Sequence, residues 1–182
     1  MDVPEKYKYT KEISAGIIVF RRVEGELKFL FLYRARGTWD FPRGRMEGGE
    51  RSWQTAFREV REETGLRRTE LIMHPNFKVH ERFPYMSDGK KIFKVVIFYL
   101  AETMQSRVRI SAEHEGYGWF SYAEARKALS RYKARVEILR KAYEAIQEAD
   151  KASASRSASV VVPASSGEAP ATPLPPTTEP AR

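Results

Sequence analysis

The 182-residue chain contains no cysteine. That excludes a disulfide framework, a thiolate metal site and a cysteine nucleophile, and it fits a reducing compartment. No run of about 18 apolar residues occurs, so no membrane span is expected. Met1 to Lys11 is charged and lacks the apolar stretch of a secretory signal. A cytoplasmic location follows as the expectation. There is no internal repeat. Aromatic residues are absent from Lys151 to Arg182, where Ala, Ser, Pro and Thr dominate and only Val160–Val162 forms an apolar patch. Such a segment buries too little surface to offset its ordering entropy, so a disordered tail is expected over 151–182. Within it, Pro173-Leu174-Pro175-Pro176 has the PxxP form of some peptide ligands, although a plain Pro-rich tail accounts for it better.

The rest of the chain, 1–150, has the length of one domain. The whole sequence is 42% apolar, enough for a core at this size. The formal net charge is +8. A basic surface suits polyanionic partners such as nucleotides, polyphosphates or RNA, but charge alone does not choose among them, and it also serves solubility.

Strand and helix patterns alternate through this body. Ile13 to Phe20 and Leu27 to Tyr33 are β-rich runs joined at Glu24-Gly25, the pattern of a hairpin. Phe77 to Phe83 and Ile92 to Leu100 form a second pair, turned at Asp88-Gly89. Tyr117 to Phe120 reads as a further short strand. One helix is predicted from about Arg51 to Thr64, ending at Gly65. Another covers Tyr122–Leu129 and then Tyr132–Ala149, broken near Ser130. The result is an α/β chain, a mixed sheet with helices packed on it.

The stretch Gly44 to Leu66 carries the chemistry. On a helix each residue advances about 100°. Trp53, Ala56, Phe57, Val60 and Thr64 then share the narrow stripe of a core face. Glu59 and Glu63 lie one turn apart on another face, with Glu62 beside them. Arg58, four residues before Glu62, is placed to pair with it. A solvated charged face explains three neighbouring carboxylates. A hard divalent cation explains them too, because magnesium prefers carboxylate oxygens and takes further ligands from substrate phosphates. Gly44, Gly48 and Gly49 allow the preceding loop to approach a metal or phosphate, and Gly44 can offer its carbonyl. Glu50 stands at the helix start, where negative charge is favoured.

The pattern Gly44-x5-Glu50-x7-Arg58-Glu59-Val60-x-Glu62-Glu63-x-Gly65-Leu66 resembles a complete Nudix box. The resemblance implies the Nudix α/β/α sandwich, magnesium on the helix glutamates (manganese as a substitute), and water attack on a polyphosphate. It continues over roughly Glu12 to Ala149. Ser14-Ala15-Gly16-Ile17-Ile18-Val19-Phe20, Trp39-Asp40-Phe41-Pro42-Arg43-Gly44-Arg45 and Ser111-Ala112-Glu113-His114-Glu115-Gly116-Tyr117-Gly118-Trp119 resemble the asymmetric diadenosine tetraphosphate hydrolases. That subfamily usually has lysine where Arg43 stands and histidine where Arg45 stands, which changes the geometry of the positive charge.

Carried over residue by residue, the resemblance implies Gly44, Glu59, Glu62 and Glu63 as metal ligands. Glu113, Glu62 and Arg58 become the catalytic group, with Glu113 as the candidate base and a helix glutamate or the metal as the alternative. Tyr117 becomes the adenine-stacking ring and Tyr85 a second one. Ordinary sheet packing explains Tyr117 nearly as well. Of the flanking arginines Arg34, Arg36, Arg43 and Arg45, the last two are the expected polyphosphate clamps. His114 orders the loop or meets phosphate, while His74 and His80 carry no signal. The expected activity is magnesium-dependent hydrolysis of diadenosine tetraphosphate to ATP and AMP. The rivals are removal of pyrophosphate from RNA 5′ ends or nucleoside triphosphates, and a non-catalytic nucleotide- or RNA-binding module. The sequence leaves the oligomeric state open.

Overall fold

Two hairpins build most of the sheet. Strands β1 (Thr10–Val23) and β2 (Glu26–Arg34) turn through Glu24 and Gly25, with φ of 50° and 83°. Strands β6 (Val79–Ser87) and β7 (Lys90–Glu102) turn through Asp88 and Gly89, with φ of 48° and 71°. Two successive left-handed residues give a tight turn whose twist matches the flanking strands. Both turns lie where the sequence predicts them. The computed structural model describes residues 10–34 and 37–159.

Strands β1 and β7 pair in parallel from Thr10↔Ile92 to Phe20↔Glu102 and form the centre of the sheet. β7 also receives β6 and the short β5 (Ile72–Met73), both antiparallel. The other edge of β1 is shared. Phe20–Val23 pair with β2, whereas Ser14–Gly16 pair with β4 (Arg43–Arg45). β2 pairs in turn with β3 (Thr38–Asp40) and β8 (His114–Ser121). The short strands β3, β4 and β5 carry no period-2 signal long enough to read from sequence.

Alternation along β1 and β2 makes two cores. Ile18, Phe20, Phe29 and Phe31 point to one face, against Ala125 of α2 (Tyr122–Ala128) and Ile138, Leu139, Ala142 and Ile146 of α3 (Lys133–Ser159). Ala15, Ile17, Val19 and Leu30 point to the other, against Ala56 and Val60 of α1 (Ser52–Thr64). Burying each such large side chain contributes about 1.5–3 kcal/mol. The layers are α1, mixed sheet, α2 with α3, the expected α/β/α sandwich. Among the described residues no helix is long and apolar enough to cross a membrane.

Two expectations change. Trp53 was placed on the core stripe of α1, but it is 39% exposed and lies edge-on to Phe57 at 6.5 Å. Thr55, one position off the stripe, is buried instead. The helix also outlasts the expected boundary at residue 150, since α3 continues through Ser159. Lys151-Ala152-Ser153-Ala154 extends it without a breaker, and Arg22 holds Asp150 at the start of that extension, with Nη1 and Nη2 at 2.9 and 2.8 Å. Val160–Val162, Pro173–Pro176 and Arg36 lie outside the described residues.

Candidate active site

Helix α1 begins after Glu50, whose carboxylate has four donors. It accepts from the Glu47 amide (3.0 Å), Thr55 Oγ1 (2.8 Å), Arg58 Nε (2.7 Å) and Arg58 Nη2 (3.0 Å). These contacts, those of Arg58 foremost, hold the Glu50 carboxyl down at about 2. A carboxylate so satisfied serves as an anchor. Arg58 spends its remaining donors on Glu59 Oε1 (2.8 Å), Glu62 Oε2 (3.1 Å) and the Arg45 carbonyl (2.9 Å). The Arg58–Glu62 pairing expected from spacing is present, but it is one spoke of a larger hub. Arg58 ties the helix to the Gly-rich loop and thereby positions the glutamates.

Glu59 and Glu63 face inward. Register sets Gly44 opposite Ala15, and Glu59 reaches across onto Gly44. A Cβ at that position would overlap the Glu59 carboxyl, so a side chain there would push the carboxyl out of its present place. Burial pushes the Glu59 carboxyl above its ordinary value, against the pull of Arg58. Glu63 corrects the expectation of an off-core position: its side chain is only 5% exposed. Oε1 accepts from Arg34 Nη2 at 2.9 Å, and Oε2 accepts from the Arg43 amide at 2.8 Å. Burial still pushes Glu63 up to about 7, outweighing Arg34. His114 stands behind it, with Nε2 3.4 Å from Glu63 Oε1 and Nδ1 3.1 Å from Ser111 Oγ. Burial and the nearby Arg34 lower the His114 pKa. It therefore orders the loop as a neutral ring.

Gly44, Arg58, Glu59 and Glu63 line a polar cleft of about 390 Å³, which also takes in Glu62, Glu113, Arg34, Arg43, Arg45, Lys94 and Ser14. Sequence reasoning missed Ser14 and Lys94. Ser14 Oγ is buried without a partner and borders the cleft. Arg43 lines the cleft with its guanidinium already paired. Its Nε and Nη2 donate to Asp40 Oδ2 at 3.1 and 2.8 Å, and its side chain is 11% exposed. Asp40 claims the guanidinium, and it is the Arg43 amide that reaches Glu63. Arg45 is exposed at the cleft, as expected.

The two tyrosines differ. Tyr117 is 37% exposed on β8, opposite Leu32, and does not line the cleft. Tyr85 is engaged already. Its hydroxyl donates to Glu12 Oε2 at 3.0 Å, its ring leans on Phe83 at 6.2 Å, and Lys94 Nζ lies 6.0 Å from the ring. Tyr85 thus supports the rim, where Lys94 also meets Glu12 at 2.6 Å.

Among the described residues no three histidine, aspartate or glutamate side chains converge into a ready-made metal cage. Glu59, Glu62 and Glu63 all line the one cleft, held by different partners. Arg58 draws Glu59 and Glu62, whereas Arg34 and the Arg43 amide hold Glu63. Glu62, with 57% of its side chain exposed, is the outermost. The donor set still fits a hard divalent cation. Two carboxylates disfavoured by burial line one cleft, beside a glycine whose missing side chain leaves room for one of them.

The NUDIX domain family model matches residues 10–142. Caenorhabditis elegans asymmetrical bis(5′-nucleosyl)-tetraphosphatase is 31% identical over 131 residues, covering 70% of this chain and 91% of that protein. The Mus musculus protein of the same name is 34% identical over 122 residues, covering 62% and 80%. A crystal structure of a C. elegans Ap4A hydrolase binary complex superposes with a TM-score of 0.65 at 30% identity, covering 76% of this chain and 98% of that one.

Proposed function

The chain belongs to the NUDIX family, and from that membership we propose that it is a magnesium-dependent pyrophosphohydrolase that cleaves diadenosine tetraphosphate to ATP and AMP. As a Nudix hydrolase it acts on phosphoanhydride bonds. The observation that carries the finer reading is one cleft in which Glu59 and Glu63, both disfavoured by burial, face a wall of Arg34, Arg45 and Lys94. The substrate comes from the name of the C. elegans and mouse relatives.

Glu59, Glu63 and the Gly44 carbonyl would hold magnesium, or manganese in its place, with Glu62 at the outer edge. Bound there, the metal would neutralise charge on the phosphoanhydride oxygens. Arg45 and Lys94 bind phosphates of the chain, and the unpaired Ser14 hydroxyl offers a donor to a phosphate oxygen. Glu113, exposed at the cleft, accepts a proton from the attacking water. The water oxygen bonds to one phosphorus, the bridging P–O bond breaks, and the leaving nucleotide takes the electron pair. Tyr117, three residues beyond His114, offers its exposed ring to an adenine.

The test is product analysis. The protein is incubated with magnesium and, separately, diadenosine tetraphosphate, ATP and RNA bearing a 5′-triphosphate, and products are separated by ion-exchange chromatography. Equal ATP and AMP from the dinucleotide supports the reading. Cleavage of the RNA ends alone moves the substrate to the RNA rival.

A further inference from the structure

The corner between α2 and α3 holds a concentration of charge that hydrolysis does not use. Between Glu124 and Glu137 the sequence has no acidic residue and five basic ones, Arg126, Lys127, Arg131, Lys133 and Arg135. Arg135 turns inward to Asp40 and Glu81. The other four are exposed, and none forms an ion pair among the described residues. Two turns further along α3 the pattern is different. Arg140 pairs with Glu137 and Glu144, and Lys141 approaches Glu137. Around Glu137 and Glu144 the cations of this helix are paired within the chain, and at the corner they are not.

The corner is also concave. A cavity of about 490 Å³ opens between Arg126, Lys127, Ser130 and Lys133, floored by Ala123 and Val136. Tyr132 lies beside Lys133 in sequence. Arg135 sits 4.6 Å over its ring, which is still 38% exposed. Like charges gathered around a hollow attract a polyanion, and several cations match a run of phosphates better than a single one. The aromatic ring narrows the choice, because single strands are held by cations along the backbone and by bases stacked on aromatic faces. A membrane surface fits less well. The other exposed large apolar side chains, Trp53, Ile72, Met86, Phe93 and Met104 among them, lie on other elements.

We propose that the α2–α3 corner is a binding surface for single-stranded RNA, with phosphates on Arg126, Lys127, Arg131 and Lys133 and a base on Tyr132. The surface is separate from the hydrolytic cleft and does not depend on the substrate proposed for it. Arg135 connects the two regions, since its guanidinium reaches Asp40, the partner of the cleft residue Arg43.

The test is fluorescence anisotropy of a labelled ten-nucleotide oligouridine in EDTA, titrated with the full chain at several salt concentrations. Wild type should bind with a salt-dependent affinity. Each cation meeting a phosphate contributes about 0.7 to the slope of log K against log salt, so Lys127→Gln with Lys133→Gln should lower the slope by about 1.4. Tyr132→Ala should weaken binding about tenfold, and Arg45→Gln with Lys94→Gln in the cleft should leave it unchanged. Hydrolysis of diadenosine tetraphosphate should be unaltered by the corner substitutions. Three results would each overturn the proposal: no oligouridine binding by wild type, an unchanged slope in the corner variant, or loss of binding in the cleft variant. Binding to phosphatidylserine vesicles without binding to oligouridine would overturn it as well.

Discussion

Gly44 and Glu59 meet so closely that the missing side chain of one is the space used by the carboxyl of the other. Strand β4 sets this contact, because Gly44 is pinned opposite Ala15 while Glu59 approaches from α1. Gly44→Ala should therefore displace Glu59. The clash is with the end of a flexible side chain, which can swing away at little cost in stability, but a misplacement on the order of 1 Å costs roughly a hundredfold in rate. Steady-state kinetics with thermal melts should show a large fall in kcat beside a modest fall in Tm. Near-wild-type kcat would mean that Glu59 does not need its present position.

Arg58 organises the helix start through contacts that only a planar fork with several donors can make at once. Arg58→Lys keeps the charge and loses most of the spokes. Turnover should fall at least tenfold, with weaker magnesium activation, because Glu59 and the Arg45 carbonyl lose their common partner. A magnesium titration of activity measures both effects. A lysine variant with wild-type magnesium dependence would reduce Arg58 to surface charge.

Glu63 gives a pH dependence with a definite sign. Burial raises its folded pKa to about 7 from an ordinary 4.5. The folded chain thus holds the proton more tightly than the unfolded chain. This contribution to stability is fully present below the ordinary carboxylate range and is lost as pH rises to about 7, on the order of 3 kcal/mol at most. A divalent cation needs the ionised carboxylate. Stabilisation by magnesium should therefore grow from about pH 5 to about pH 8. Melting temperatures with magnesium and with EDTA across that range give the answer. An equal metal-induced shift at both ends would contradict the assignment of Glu63.

Much of this was legible in the sequence, for reasons that can be named. Asp88-Gly89 and Glu24-Gly25 place the hairpins because turn chemistry is local. Gly65 ends α1 because a left-handed cap is local too. The spacing from Gly44 to Leu66 brings Arg58, Glu59, Glu62 and Glu63 to one cleft, with Glu50 anchoring Arg58 behind them. The burial of Glu63 has no sequence signal, because helical periodicity places it off the apolar stripe, and β4, Arg34 and His114 come to it from distant parts of the chain. Ser14 and Lys94 reach the cleft through the β1–β7 register, in which Ser14 faces Val96 and Lys94 faces Glu12. The Arg43 guanidinium pairs with Asp40, three residues before it, a contact that strand spacing alone does not show.

Arg135 is another residue with no signal in the sequence. Its Nη1 lies 3.2 Å from Asp40 and its Nε lies 3.6 Å from Glu81, with all three side chains nearly buried. Arg135→Met should cost about 3 kcal/mol, because removing one partner leaves buried carboxylates uncompensated. Arg135→Lys should recover part of that. Urea denaturation measures the difference. A methionine variant as stable as wild type would show that Arg43 alone neutralises Asp40.

The most direct measurement is magnesium-dependent turnover of diadenosine tetraphosphate by wild type and by Glu59→Gln. Wild type should yield ATP and AMP in equal amounts. Glu59→Gln should keep the fold by circular dichroism and lose roughly a hundredfold or more in kcat, since it removes a charged ligand that stabilises the transition state. A wild-type enzyme that leaves the dinucleotide intact, or a Glu59→Gln variant that cleaves it at the wild-type rate, would contradict the account.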